Sequence, residues 1–254
     1  AHQDGVWRVK ERGGFQADPA LISELTFKAR EWKILQSEPI TEAQRPRVEV
    51  APPDAKEGAS TLLEFRDKDG KVLATLFLGK KHLGKPPLQV KGFDKGQPDG
   101  RYLLVGTDPN TLLLVGDPMN NVEPKPEKWI SKEFAKVDRI RHLKVETGNP
   151  ATSYELSRDK ELGDWVLAGM SAERTNPSAA VSATNALYSL SFVDVAADLK
   201  PDQLQNPTRI TAETFDGWAY RMLAAPKPGD DEHLYFAISL AGEVKRTERK
   251  PEND

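Results

Sequence analysis

The chain has 254 residues, 38% of them hydrophobic and 30% charged, with 36 basic and 39 acidic side chains and a formal net charge of −3. That length buries a sizeable core in one large or two smaller domains. The composition is that of a globular chain rather than a disordered one, and the balanced charge speaks against bulk nucleic-acid binding. No cysteine is present, which excludes disulfides, a thiol nucleophile and thiolate metal sites. No apolar run approaches the roughly 18 residues of a bilayer span, and no signal peptide is visible.

Trp7 to Lys10 alternates and reads as a short strand. Because the chain enters strand pattern so abruptly, the expectation is that an upstream segment has been removed. Asp18 then caps a helix, with Pro19 in the first helical position. The helix is expected to run to about Trp32, with an apolar stripe of Ile22, Leu25, Ala29 and Trp32. Pro39 to Gly58 is polar, with a short strand expected over 47–50. Thr61 to Phe65 and Lys71 to Leu78 are alternating runs around an Asp-Gly turn, a strong hairpin signal. Residues 80–100 read as a long loop rich in Lys, Gly and Pro. Arg101 to Val105 and Thr111 to Val115 read as further strands, and Asp117 to Lys128 as a linker.

Trp129 to Val195 reads as a complete unit: a short lead-in, two or three antiparallel strands, Trp165, and an amphipathic helix after Asn176 and Pro177. Arg209 to Phe215 and Trp218 to Leu223 flank Asp216-Gly217 as a second hairpin, and His233 to Leu240 supplies a third strand. The tail after Gly242 is charged.

The two halves share a register. Trp165 matches Trp7, Asn176 matches Asp18, and Pro177 matches Pro19. Ala180, Ala183, Leu187 and Leu190 match the stripe Ile22, Leu25, Ala29 and Trp32, and Phe192 and Val193 match Ile34 and Leu35. The pattern predicts an internally duplicated α+β protein. Each unit has antiparallel strands, one packed helix and a following β-meander. The first unit is placed at residues 1–122, truncated at its N-terminus, and the second at 123–254.

Candidate chemistry is sparse. His2, His82, His142 and His233 are scattered without metal-binding spacing. Phosphate-loop, dinucleotide and nucleophile-elbow motifs are absent. Asp67, Asp69, Asp159, Glu161, Asp164 and Asp216 fall at turns, where Asp is favoured for backbone reasons. No catalytic residue, metal ligand or cofactor is assigned. Trp7, Trp32, Trp129, Trp165 and Trp218 read as core or as a seam between the units. One charged feature stands out: Lys80, Lys81, His82, Lys85, Lys91 and Lys95. It reads either as a solvated loop or as a contact surface for an acidic partner or anionic headgroups.

The stretch from Tyr102 to Val195 resembles the DUF4340 family, a domain of unknown function. The resemblance rests on YLLVG with NTLLLV, then WISKEF, VDRIRHLKVE, SYELSRDKELGDWVL and the helix ending NALYSLSFVDV. The first half is similar to the same family's preceding repeat. The resemblance implies a domain outside the cytoplasmic membrane, periplasmic in setting, anchored by a segment not present here, and encoded near gliding-type ABC transporter genes. It carries no catalytic residues. The expected function is therefore a non-enzymatic accessory or scaffold domain of a cell-envelope complex, with an envelope or membrane protein as partner. The alternatives are a glycan- or peptide-binding module using the seam between the repeats, and an envelope hydrolase with a carboxylate pair.

Overall fold

The computed structural model describes residues 1–84 and 96–242 and divides into two units, Ala1–Ser131 and Lys132–Asp254. The fold is α+β, with two main antiparallel sheets each flanked by a short helix.

The first unit opens with β1 (His2–Gln3), β2 (Val6–Val9) and β3 (Phe15–Gln16), paired in that order as a small antiparallel sheet. The Asp18 carboxylate then accepts from the backbone N of Ala20 at 2.8 Å, and Pro19 follows where a missing N–H is harmless. Helix α1 (Pro19–Glu31) results, one residue shorter than expected, with Trp32 as its C-cap. Strands β4 (Ile34–Pro39), β5 (Thr61–Arg66), β6 (Val72–Leu83), β7 (Pro98–Val105) and β8 (Asp108–Val115) form a sheet in the order β4-β8-β7-β6-β5. Every pair in it is antiparallel.

Strand alternation gives that sheet two packed faces. Leu78, Leu103 and Val115 face Leu25 and Trp32 of α1, while Leu104 and Leu112 face Ile40 and Val50. The strand expected over 47–50 is not formed. A 3-10 helix spans Glu42–Val48, and Glu49 has a φ of 57°. The Thr41–Gln44 capping box starts this helix, and left-handed Glu49 ends it, so the chain turns where a strand would run straight. Residues 80–83 are also not loop. They extend β6, with Lys81 opposite Arg101 and His82 opposite Gly100.

Residues 117–131 pack into the first unit. Met119 and Val122 are buried in its core, and α2 (Pro126–Trp129) leads into the small sheet. Asp18 N donates to Trp129 O, and Ser131 N donates to Gln16 O, both at 2.8 Å. The boundary expected at 122/123 falls inside this segment, and the units divide after Ser131.

The second unit contains β9 (Ile140–Glu146), β10 (Tyr154–Ser157), β11 (Val166–Leu167), α3 (Pro177–Tyr188), β12 (Thr208–Thr214), β13 (Ala219–Lys227) and β14 (Asp230–Ala241). The six strands run in the order β11-β10-β9-β12-β13-β14, all antiparallel. Asn176 caps α3 by accepting from Ala179 N at 3.1 Å. Ala180 and Leu187 of α3 are buried against Ile140, Leu143 and Val145 of β9, Leu156, Trp165, Ala212 and Met222. Both expected hairpins form, around Gly70 and Gly217, whose φ values of 82° and 87° no other residue type adopts easily.

Candidate functional site

A cleft of about 480 Å³ lies in the first unit between α1 and residues 116–122. Leu21 and Leu25 come from one row of α1, Trp32 follows as its C-cap, and Met119, Val122 and Trp129 close the other side. The Asp117 carboxylate accepts from Met119 N at 2.7 Å, and Met119 takes a φ of 52°, which folds the segment back over the sheet. Trp129 Nε1 donates to Glu123 O at 2.8 Å. Trp32 Nε1 is buried and has no acceptor among the described residues.

The rim is polar. Lys28 and Glu24 pair at 2.5 Å, and Glu24 holds the Lys28 proton more tightly than usual, with a smaller contribution from Asp117. Lys81 Nζ donates to Asn120 Oδ1 at 2.8 Å, so β6 reaches the rim through Lys81. Beneath it, buried Arg101 donates to Gly79 O at 2.8 Å and to Val122 O at 3.4 Å. Burial lowers the Arg101 pKa, and Glu49 and Glu123 act in the opposite sense.

The structure distributes the sequence-predicted contact residues. Lys80 is exposed, Lys81 is tied to Asn120, and His82 Nδ1 lies 2.6 Å from Asp99 Oδ1. His82 also meets the Tyr102 ring edge-on at 6.0 Å, on the face of β7 away from α1. Lys85, Lys91 and Lys95 lie outside the described residues. The cleft itself was missed by sequence reasoning. The available signal was an apolar pair, Met119 and Val122, inside a stretch otherwise read as linker.

In the second unit several carboxylates are bonded to basic side chains. Arg139 forks onto Glu161 at 2.8 and 2.9 Å and also pairs with Asp216, joining two turns to the start of β9. Glu155 sits 2.8 Å from His142 Nε2, and Asp230 pairs with Lys227 at 2.7 Å and His233 at 2.9 Å. Hydrogen bonds from Arg139 to Glu161, from His142 to Glu155, and from Lys227 and then His233 to Asp230 hold these carboxylates below the usual carboxylate range. Each is thus fixed as an anion at neutral pH and is unsuited to give up a proton as a general acid. Trp165 is buried with the Arg158 guanidinium 4.5 Å above its ring, whereas Trp7 is 39% exposed. A smaller hollow of about 330 Å³ lies over β12 to β14, beside Arg209 and Arg221.

Among the described residues no group of three or more His, Asp or Glu side chains could hold a metal ion, and no helix is long and apolar enough to cross a membrane. Comparison with protein-family models, curated proteins and solved structures finds no match.

Proposed function

We propose that this chain is a non-enzymatic accessory domain of a cell-envelope complex and that it binds a protein partner through the cleft of its first unit. The observation that carries this reading is the cleft's construction. An apolar floor with Trp32 and Trp129 is rimmed by Lys28, Asp117, Asn120 and the anchored Lys81. Aromatic anchors in a pocket with a charged rim are what a protein contact uses. The envelope setting, a membrane anchor and a link to an ABC transporter rest on the sequence resemblance of Tyr102 to Val195. The same reading takes the two units as a duplication. Its support is the paired caps Asp18 and Asn176, and the two meanders β5-β6-β7 and β12-β13-β14 built on Asp-Gly turns.

The test is a crosslinked pull-down of the protein from its native membrane, comparing the natural sequence with Lys81→Glu and Trp129→Ala. Stoichiometric capture of transporter subunits that both variants lose supports the proposal. Capture of nothing, or capture that ignores both variants, refutes it.

A second reading is glycan binding in the same cleft. The unpartnered Trp32 Nε1 and the neighbouring Asn120 and Asn121 favour it, because sugar rings stack on aromatic faces and take hydrogen bonds at their edges. Titration with envelope glycans, followed by tryptophan fluorescence, separates the two readings.

A further inference from the structure

The sheet of the second unit turns one face to α3 and the other away from it. Ile210, Met222 and Ile238 lie opposite one another on β12, β13 and β14 and pack into the core that α3 shares. Alternation sends their chain neighbours to the far face. There Thr211, Arg221 and Ser239 make one row across the three strands, and Arg209, Leu223 and Ala237 make the next. Glu146 of β9 stands opposite Arg209. The hollow of about 330 Å³ lies over these two rows and is lined by Glu146 rather than by its core-facing neighbour Val145.

The charges on this face are unevenly matched. Glu146 sits 2.9 Å from Lys144, Glu155 sits 2.8 Å from His142 Nε2, and Glu213 sits 2.7 Å from Arg141. Arg209 and Arg221 are exposed and have no carboxylate within ion-pair reach among the described residues. Diagonal neighbours on a sheet face stand about 7–8 Å apart, within reach of two long side chains. One small ligand can therefore meet both guanidiniums, and an anion between them relieves the repulsion of two like charges. The Thr211 hydroxyl lies opposite Arg221 and has no partner among the described residues, whereas Ser239 Oγ donates to Arg221 O at 3.3 Å.

The donor set selects among anions. A carboxylate has two oxygens, which a single guanidinium fork satisfies. Two forks and a hydroxyl exceed that and suit a phosphate ester, with its three terminal oxygens and a charge of about −1.5 to −2 at neutral pH. The hollow's volume falls at the small end of ligand pockets, which run from roughly 300 to 1,000 Å³, so room is left beside the phosphoryl group. Half-buried Leu223 and Ala237 give that room an apolar floor.

We infer that this hollow binds the phosphoryl group of an organic phosphate. Arg209 and Arg221 hold its oxygens, Thr211 donates to it, and the organic part lies on Leu223 and Ala237. Glu146 is the acidic residue of the lining, and Lys144 holds it as its ion-pair partner. The site belongs to the second unit alone and stands independently of the cleft in the first.

The experiment titrates the full chain with glycerol phosphate, with inorganic phosphate, with acetate, and with phosphatidylcholine vesicles containing phosphatidylglycerol. Salt is held near 0.1 M so that distant charges are screened. The expected result is a shift of the Thr211, Arg221 and Ser239 amide resonances in the natural sequence. Arg209→Gln and Arg221→Gln should each weaken binding about tenfold, the loss of a charged hydrogen-bonding partner. Arg141→Gln, outside the hollow, should leave binding unchanged, and Glu146→Gln should strengthen it by removing a negative charge. Glycerol phosphate should bind more tightly than inorganic phosphate because of the apolar floor. Binding of the soluble ester identifies a free organic phosphate as the source. Binding of the vesicles alone, lost in both arginine variants, identifies a lipid headgroup. Amides that respond to no probe, or binding that survives both arginine variants, overturn the inference. Acetate binding as tightly as glycerol phosphate overturns the choice of a phosphoryl group.

Discussion

Thr26 and Thr184 make the same bonds in opposite surroundings. Each stands eight residues past a helix cap, Asp18 and Asn176. Thr26 Oγ1 donates to Ile22 O and Ser23 O at 3.1 and 2.9 Å; Thr184 Oγ1 donates to Ala180 O and Val181 O at 3.2 and 3.0 Å. A hydroxyl bonded back to its own helix turn can be buried without leaving a polar atom unpaired. That capacity is used in α3, where Thr184 is 8% exposed, and goes unused in α1, where Thr26 lies open.

The two helices therefore differ in what a truncation costs. Leu187→Ala removes a side chain that is 6% exposed and leaves a cavity, so a loss of about 2–5 kcal/mol is expected. Leu25→Ala removes a half-buried side chain whose surroundings include the open cleft, so a loss of about 1 kcal/mol is expected. Urea unfolding of the two variants, followed by far-UV circular dichroism, measures both. Equal losses would contradict the difference in burial.

Gly79 is the close-approach point of the first sheet. A Cβ there would stand 2.4 Å from Val48 O and 2.5 Å from Val50 Cγ1. The segment after the 3-10 helix can lie on β6 only because that carbon is missing. Gly79→Ala forces the segment outward and is expected to cost about 1–3 kcal/mol, the usual penalty of overpacking. Limited proteolysis should show new cleavage within residues 49–60, and an unchanged digestion pattern together with unchanged stability would refute the expectation.

Much of this architecture is legible from local chemistry. The Asp-Gly turns between alternating runs locate β5–β6 and β12–β13, and the caps at Asp18 and Asn176 locate α1 and α3. Local chemistry fails where a distant partner decides. Lys80 to Leu83 has no apolar alternation, yet it continues β6 because Arg101 and Gly100 offer it backbone pairing. Met119 and Val122 sit in a polar stretch and become core because α1 packs over them. The cleft joins residues 21–32 to 116–129, a pairing that no window of local sequence contains.

Asp230 gives the second unit an acid-sensitive fastening. Lys227 and His233 bond its carboxylate, and the N–H groups of Glu232 and His233 both donate to Oδ1 at 3.2 Å. The hydrogen bonds from Lys227 and then His233 push its pKa far below the usual value. A depressed carboxyl pKa contributes stability above the unfolded pKa of about 3.9 and loses it as pH falls through the folded value. Asp230→Asn should therefore lower the melting temperature at pH 7 and flatten its fall below about pH 4, so that variant and parent converge in acid. Parallel melting curves across that range would exclude the role.

Arg101 is the buried cation on which the cleft's floor depends. The residue is 8% exposed, and its guanidinium satisfies the carbonyls of Gly79 and Val122 from β6 and the rim segment. Arg101→Met keeps most of the volume and removes the donors, leaving two carbonyls to find water or go unpaired. The expected cost is about 2 kcal/mol, the range for stranding a buried polar group. Because Val122 is held from below by this bond, the variant should also loosen the 116–122 wall and speed exchange of the Val122 amide, which donates to Met119 O at 3.0 Å. Arg101→Lys restores the charge without the forked geometry and should recover only part of the loss. Full recovery by lysine would mean that charge alone, rather than the two directed bonds, holds the wall in place.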